Sequence, residues 1–212
     1  MQIIELSHPI HPSMPVYPGA SPPAIVPLAE IDTHGFEEHR IEIPSHTGTH
    51  LDVPSHMLKG GASLDQFPPD GFIGPGIVIN TVAGNAHQIS VSDLESHRRR
   101  LATAEFALIY TGWYRHWGQP AYFERFPCLD RSAAQWLSEM GLKGVGIDTP
   151  SFDRMHSNRH PIHKIFFSRN VILIENLTNL DPLPQSGFTM VCLPLPIERA
   201  DGSPIRAVAL ID

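Results

Sequence analysis

Cysteine is scarce in this sequence, because its 212 residues include only Cys128 and Cys192. The two are far apart and form no CxxC pair, which argues against a disulfide framework and predicts buried thiols in a reducing compartment. No apolar run reaches the roughly 18 residues that a membrane-spanning helix needs. The first residues carry neither the basic stretch nor the apolar stretch of a secretory signal. We therefore expect a cytoplasmic protein without a membrane partner.

Positive charge is also in deficit, since 15 Lys and Arg face 22 Asp and Glu, for a formal net charge of −7. Binding to a phosphate backbone needs a basic face, so we expect no nucleic-acid partner. With 42% hydrophobic residues, the chain can bury a full core as one domain spanning residues 1–212. Neither a fixed-period repeat nor an interdomain linker is visible.

Short runs rich in valine and isoleucine outnumber the helical patterns and predict an α/β domain with a central mixed sheet. Four of the runs are continuous enough to be buried on both faces. Strands are predicted at 2–6, 40–43, 76–82, 106–111, 145–147, 171–175, 189–193 and 205–211. Ser92 with Glu95 resembles a capping box ahead of Leu101, and Asp130 is placed to cap a helix that stops at Gly141. Seven prolines within residues 8–27 predict an extended surface loop there.

Three histidines and one aspartate lie within the eleven residues 46–56, which read HTGTHLDVPSH. Imidazole nitrogen and carboxylate oxygen are ligands for zinc and its neighbours, and a catalytic site leaves one position open for water. A straight strand would separate His46 and His50 by about 13 Å, too far for one ion. We therefore predict a bend at Gly48, where the missing Cβ leaves φ unrestricted, so that His46, His50 and Asp52 converge.

The alternative is that these histidines are ordinary surface or core residues. The chain has 13 histidines, so clusters that arise by chance are more common in it than in most proteins. We favour metal binding for the 46–56 cluster, since a carboxylate and a glycine accompany the imidazoles. For the remaining isolated histidines we favour solvated or locally hydrogen-bonded roles. These are His8, His11, His34, His39, His87, His97 and His116.

A second cluster lies downstream, where three histidines precede an apolar strand that ends in Glu175. Burying a carboxylate there is costly unless it is paired or bound to metal, so Glu175 is a candidate ligand. A salt-bridged carboxylate at a strand end is the alternative. Pro161 predicts the first turn of a short helix. Spacing alone does not choose among His156, His160 and His163.

Taken in order, these motifs resemble the cyclase family that includes bacterial kynurenine formamidase and isatin hydrolase. The resemblance covers most of the chain and rests on PVYPG at 15–19, the histidine motif at 46–56, GIDTPS at 146–151, His163 with ENLTNL at 175–180, and ADGSPIR at 200–206. It implies a swivelling β/β/α domain. It also implies a homodimer or higher homo-oligomer, with the N-terminal loop near a neighbouring subunit's site.

The family pattern implies a site of one or two metal ions. Its ligands would be His46, His50, Asp52, His163 and Glu175, with Asp52 able to bridge two ions. His56 matches the family's catalytic acid/base, a role that suits a side chain titrating near neutrality. We expect Zn²⁺, with Mn²⁺ as the other candidate.

The implied reaction is hydrolysis of a small-molecule amide by metal-activated water. For an arylformamidase, the substrate is N-formylkynurenine and the products are kynurenine and formate. A cyclic-amide or lactone hydrolase of the isatin type is the alternative, and a non-catalytic metal- or ligand-binding protein is a third. Tyr17 stands where kynurenine formamidases usually carry tryptophan. It either contacts an aromatic substrate or packs the proline-rich loop.

Overall fold

A mixed sheet of nine strands organises the part of the chain that the computed structural model describes, residues 1–82 and 87–211. Its strand order is β1-β13-β11-β5-β7-β9-β10-β4-β12. The central strands β5, β7, β9 and β10 run parallel, and antiparallel strands flank them on both sides. The predicted α/β class with a central mixed sheet is confirmed.

The nine strands of this sheet, with two further pairs, have the following bounds. They are β1 Gln2–Glu5, β2 Ala24–Ala29, β3 Glu38–Glu42, β4 His50–Asp52, β5 Ile73–Asn80, β6 Gln88–Ile89, β7 Phe106–Tyr110, β8 Cys128–Leu129, β9 Gly144–Ile147, β10 Ile172–Glu175, β11 Ser186–Val191, β12 Gly202–Pro204 and β13 Val208–Ile211. β2 pairs with β3 and β6 pairs with β8, outside the large sheet. All eight predicted strands coincide with strands of the structure, whereas β2, β4, β6, β8 and β12 were not predicted.

The α-helices are short and pack mainly on one face of the sheet. They are α1 Ile31–His34, α2 Val91–Glu95, α3 Arg98–Leu101, α4 Arg131–Ser138 and α5 Pro161–Phe167. The Asp130 side chain accepts a hydrogen bond from the Ala133 amide, as its predicted capping role requires. The predicted cap at Ser92 is wrong: Ser90 caps α2, because Asp93 reaches back to the Ser90 amide. α5 starts at Pro161, as predicted.

Two apolar cores lie on opposite faces of the sheet, because strand side chains alternate in direction. On β7, Leu108 belongs to one core and Ile109 to the other. The first core contains Leu51 of β4 and the second contains the inner faces of α4 and α5. The central strands β7, β9 and β10 are buried along their whole length, as their continuous apolar sequences predict. For the fourth such run, at 76–82, the prediction is wrong in part, because β5 is exposed at Asn80 and Val82 is 49% exposed.

The proline-rich N-terminal segment forms no helix before residue 24, as predicted, but the loop is shorter than predicted, because residues 24–27 belong to β2. The β2–β3 hairpin carries exposed apolar side chains, among them Leu28, Ile31, Phe36 and Ile41. Cys128 and Cys192 are buried free thiols. Within the described ranges, no helix is both long enough and apolar enough to cross a membrane.

Candidate metal centre

Strand pairing brings the two histidine clusters of the sequence together. β4 pairs antiparallel with β10, and in this register His50 lies opposite Glu175. On the other side β4 pairs with β12, which sets Gly202 opposite Asp52. Residues 50 and 52 point to the same face of a strand, so both side chains meet Glu175 at the sheet surface. The two clusters are more than a hundred residues apart in sequence, and this register joins them.

The bend predicted at Gly48 is present, because this residue has a φ of +62°, in the left-handed region. A Cβ on Gly48 would also lie 2.8 Å from the Met14 side chain. The bend carries His46 back over β4, so that its Nδ1 lies 2.6 Å from Oδ1 of Asp52. His46, His50 and Asp52 therefore converge, which a straight strand would prevent.

Five of the side chains singled out from the sequence surround one point. Nε2 of His50 is 3.3 Å from Asp52 and 3.5 Å from Glu175. Nε2 of His163 is 3.0 Å from Glu175 and 3.6 Å from Asp52. His50, Asp52, His163 and Glu175 are all buried. His46 completes the group through its contact with Asp52.

Hydrogen bonds on the outer sides of the rings set their orientation. The Gly48 carbonyl lies 2.8 Å from Nδ1 of His50 and can only accept, so in the neutral ring Nδ1 carries the proton and the lone pair of Nε2 faces inward. Asp153 lies 2.6 Å from Nδ1 of His163 and does the same for that ring. Such outer carboxylates and carbonyls commonly fix the tautomer of metal-binding histidines.

Asp153 also belongs to the site, although it was not predicted from the sequence. Its carboxylate also accepts hydrogen bonds from the backbone amides of Ile162 and His163, at the start of α5. It thus caps the helix and orients the ring that the helix carries. An acidic residue shortly before a proline-started helix that bears a histidine is the signal that could have found it.

Asp201 was also missed, although it lies in the ADGSPIR motif. Its Oδ2 is 2.8 Å from Nε2 of His46 and 3.2 Å from Nδ1 of His56. The two rings contact each other, with centroids 3.8 Å apart. The neighbouring Gly202 leaves room for this arrangement, since a Cβ there would lie 2.8 Å from the His46 ring.

The electrostatics of the cluster favour positive charge at its centre. Burial opposes protonation of His46, but the carboxylates of Asp52 and Asp201 outweigh it and raise its pKa to about 9. Burial opposes ionisation of Asp52, yet His50 and His46 hold its pKa well below the ordinary value. The carboxylates therefore stabilise positive charge here, on the imidazoles themselves or on a bound cation.

The donor set fits a divalent transition-metal ion. His50, Asp52 and Glu175 each offer a ligand atom within 4.8 Å of the others, and so do His46, Asp52 and His56. Asp52 belongs to both groups. Imidazole combined with carboxylate matches the preferences of zinc and manganese.

His160 occupies a different place from His163. It forms a group with Asp153 and His163 and lines the pocket, whereas His163 directly faces Glu175 and Asp52. The geometry therefore supports His163 over His160 as a ligand beside Glu175. His156 lies outside the metal-compatible groups found among residues 1–82 and 87–211.

A pocket of about 530 Å³ opens over the cluster. His46, His50, His56, His163 and Glu175 line its polar end. Its other walls include Tyr17, Met57, Trp117 and Phe123. Tyr17 is 39% exposed and meets the Phe123 ring edge-on at 6.1 Å, so one face of it remains open to the pocket. An apolar, aromatic cavity with few polar groups at one end is typical of a small-molecule site.

Trp117, which forms one wall of the pocket, is held in place by contacts with His8 and by the turn that precedes it. Trp117 stacks on His8 with ring centroids 3.9 Å apart. The turn that leads to it is anchored by Asp148, which accepts hydrogen bonds from the Thr111 amide and hydroxyl and from the Gly112 amide. Burial raises the pKa of Asp148 to about 6, against the opposing effect of these bonds.

Comparison with known proteins places this site in a family. The family described as Cyclase matches residues 4–154 of the chain. The chain belongs to the Cyclase family. A kynurenine formamidase from Geobacillus thermodenitrificans (strain NG80-2) is 30% identical over 205 residues, which cover 96% of this chain and 95% of that relative. The family resemblance carried by the sequence motifs is therefore confirmed.

Solved structures of this Cyclase fold agree closely with the chain. Isatin hydrolase A from Ralstonia solanacearum superposes with a TM-score of 0.87 at 25% identity, covering 100% of this chain and 92% of that one. A protein described as a potential metal-dependent hydrolase with cyclase activity superposes with a TM-score of 0.80 at 31% identity, covering 98% and 96%.

Proposed function

We propose that this Cyclase-family chain, as one domain over residues 1–212, is a metal-dependent amide hydrolase of the arylformamidase type. Its substrate would be N-formylkynurenine, and its products kynurenine and formate. The observation that carries the proposal is the convergence of buried imidazoles and carboxylates at the polar end of an aromatic pocket. The similarity to a kynurenine formamidase over nearly the whole chain supports the choice of substrate.

The residues that would hold the metal in this proposal are His46, His50, Asp52, His163 and Glu175, and Asp52 would be able to serve a second ion as well. Zn²⁺ is the proposed metal and Mn²⁺ the alternative, because histidine and carboxylate suit both. When bound, the ion polarises a carbonyl oxygen and lowers the pKa of a coordinated water toward 7. Asp153 and the Gly48 carbonyl hold the two inner imidazoles in the tautomer that such binding needs.

His56 is the proposed acid/base. Burial lowers its pKa, and the contact of Nδ1 with Asp201 leaves Nε2 available on the neutral ring. Nε2 accepts a proton from the attacking water and later delivers it to the nitrogen of the leaving aromatic amine. The formyl carbon gains the water oxygen as its C–N bond breaks, which yields formate and the free amine.

The apolar walls of the pocket would bind the aryl group of the substrate. Tyr17, Trp117 and Phe123 offer ring surfaces beside the cluster, and aromatic rings pack favourably edge-on or with offset stacking. Tyr17 is the proposed substrate contact. It provides a smaller face than tryptophan, and this difference is a reason to test a second substrate class.

The second candidate is hydrolysis of a cyclic amide or lactone of the isatin type. The close structural agreement with isatin hydrolase A favours it. The same residues would open a ring instead of releasing formate, because the attacked group is a carbonyl in both reactions.

Turnover of N-formylkynurenine and of isatin by the same purified, metal-loaded protein separates the two candidates. We expect N-formylkynurenine to have the higher kcat/KM. A higher kcat/KM for isatin would instead identify the protein as a hydrolase of cyclic amides or lactones. If neither is turned over while metal still binds, the hydrolase assignment with these substrates is wrong and a non-catalytic binding role gains support.

We further propose a homodimer or higher oligomer in the cytoplasm. The exposed apolar side chains of the β2–β3 hairpin support self-association, since such patches commonly mark interfaces. The two buried free thiols are compatible with a reducing compartment. Light scattering of the purified protein would give the oligomer order.

A further inference from the structure

A second cavity of about 530 Å³, as large as the pocket over the metal centre, lies on the other side of Phe123. Phe123 lines both cavities. The second cavity contains none of the proposed metal ligands, and apart from Phe123 none of its described lining residues has a role in the hydrolysis proposed above. Its lining combines two arginines, Arg125 and Arg154, with the apolar side chains of Phe126 and Met155.

The two arginines differ from several others in this acidic protein by their lack of a carboxylate partner. Arg169 pairs with Glu139, and Arg206 pairs with Glu5. Among the ion pairs of residues 1–82 and 87–211, none involves Arg125 or Arg154. Glu124 lines the same cavity but does not pair with either of them. Two guanidinium groups are thus left to attract an external anion.

The backbone holds these arginines at the cavity wall. Arg125 has a φ of 52°, in the left-handed region, and its carbonyl accepts a hydrogen bond from Nδ1 of His87 at 2.8 Å. The Arg154 carbonyl accepts a hydrogen bond from the Ser157 amide and closes a turn.

We propose that this second cavity binds a small organic carboxylate whose apolar body packs on Phe123, Phe126 and Met155. The planar fork of a guanidinium donates paired hydrogen bonds that match a carboxylate, and such bonds are stronger than neutral ones. The apolar part of the lining favours an acid with an aromatic or aliphatic body over an inorganic anion. The inference does not depend on the proposed hydrolase activity.

Calorimetric titration with benzoate tests the inference. A metal centre also attracts carboxylates, so the titration uses the full-length His50→Ala protein, with Glu175→Gln as a second background in case the first fails to fold. We expect one equivalent of benzoate to bind in this background. Arg125→Gln/Arg154→Gln should weaken binding by at least about 10-fold. Benzamide, which lacks the charge, should bind at least about 10-fold more weakly than benzoate.

The matched control is Arg99→Gln/Arg169→Gln, which removes the same charge from exposed positions elsewhere and should leave benzoate affinity unchanged. Equal binding of benzoate to the Arg125/Arg154 double variant, equal binding of benzamide, or no benzoate binding would overturn the inference. The KM for N-formylkynurenine distinguishes the source of the carboxylate. A rise of about 10-fold in KM in the double variant, at unchanged kcat, indicates the substrate's own tail, and an unchanged KM indicates a separate acid.

Discussion

The metal centre has a near arm and a far arm, which the chain builds in different ways. The near arm is residues 46–56, where His46, His50 and Asp52 are brought together by one bend and one three-residue strand. The far arm is residues 153–175, where a loop carboxylate, a helix and a buried strand each contribute one group. The near arm is a local feature of sequence, whereas the far arm exists only when the sheet is assembled.

This contrast gives the two arms different sensitivities. Removing a near-arm ligand changes the site but leaves the β4–β10 register in place. The far arm depends on that register, because Glu175 faces His50 only when the two strands pair as they do. Both arms are nonetheless required in the account above, since each supplies imidazole and carboxylate to the same point.

The largest expected effect comes from removing one ligand from each arm. His50→Ala in the near arm and Glu175→Gln in the far arm should each lower kcat/KM for the best substrate by about 10⁴-fold or more, because activation of water is lost. Steady-state kinetics with added Zn²⁺ or Mn²⁺ measures this. Retention of more than about a tenth of the activity by Glu175→Gln would show that the far arm is dispensable.

His56 belongs to the near arm by sequence but has a different task. His56→Ala should lower kcat by about 10³-fold, within the range of general acid–base catalysis, while the protein keeps its metal. Kinetics together with elemental analysis of the same sample checks both parts. His160→Ala is the matched control, as its ring lines the same pocket, and its kcat should change by less than about 3-fold. Loss of metal in His56→Ala would make His56 a ligand instead.

Asp153 and Asp201 contact the ligand histidines but are not themselves proposed ligands. Their variants therefore compare the two arms without removing a ligand. Asp153→Asn removes the acceptor behind His163, and Asp201→Asn removes the one behind His46. Each should weaken metal affinity by about 10- to 100-fold. Competition with a chromophoric chelator measures the change. Because Asp201 also contacts His56, its variant should lower kcat more than Asp153→Asn does once both are saturated with metal.

The last expected effect is on stability and not on the metal site, and it concerns Asp148, which anchors the turn leading to Trp117. Burial raises the pKa of Asp148 from 3.8 to about 6, so between these values the folded state binds a proton that the unfolded state has released. The free energy of unfolding should therefore fall as pH rises from about 4 to about 6, by up to roughly 3 kcal/mol from this group. The Asp148→Asn variant has no titrating group at this position, so its free energy of unfolding should lack this pH dependence.

Urea denaturation at several pH values, with chelator present, measures this effect as the difference between wild type and Asp148→Asn. Other titrating groups cancel to first order in that difference. A difference that stays constant, or grows in favour of wild type, from pH 4 to pH 6 would contradict the assigned pKa shift.

The near arm could be predicted from sequence and the far arm only in part, for a physical reason. Density of ligands within 46–56, together with Gly48, indicates a bend and a site before any fold is known. Glu175 could be singled out because a carboxylate ending an apolar strand is unusual. Its partner among three histidines could not be chosen from spacing, since the choice depends on how α5 packs beside β10.

The same reason explains the residues and strands that were missed. Asp201 acts through contacts 145 and 155 positions away in sequence, with His56 and His46. β4 and β12 are three residues each, too short for an alternating pattern; β12 pairs with β4, and β4 also pairs with β10. The long buried strands needed no such context, because their apolar runs already demand burial.

Anomalous diffraction from crystals grown with Zn²⁺ or Mn²⁺ tests the central claim most directly, because it locates the ion relative to both arms. The account predicts a peak about 2.0–2.2 Å from the inward ligand atoms of both arms, including Nε2 of His50 and a carboxylate oxygen of Glu175. A peak bound only by near-arm residues, or no peak in this pocket at saturating metal, would contradict it.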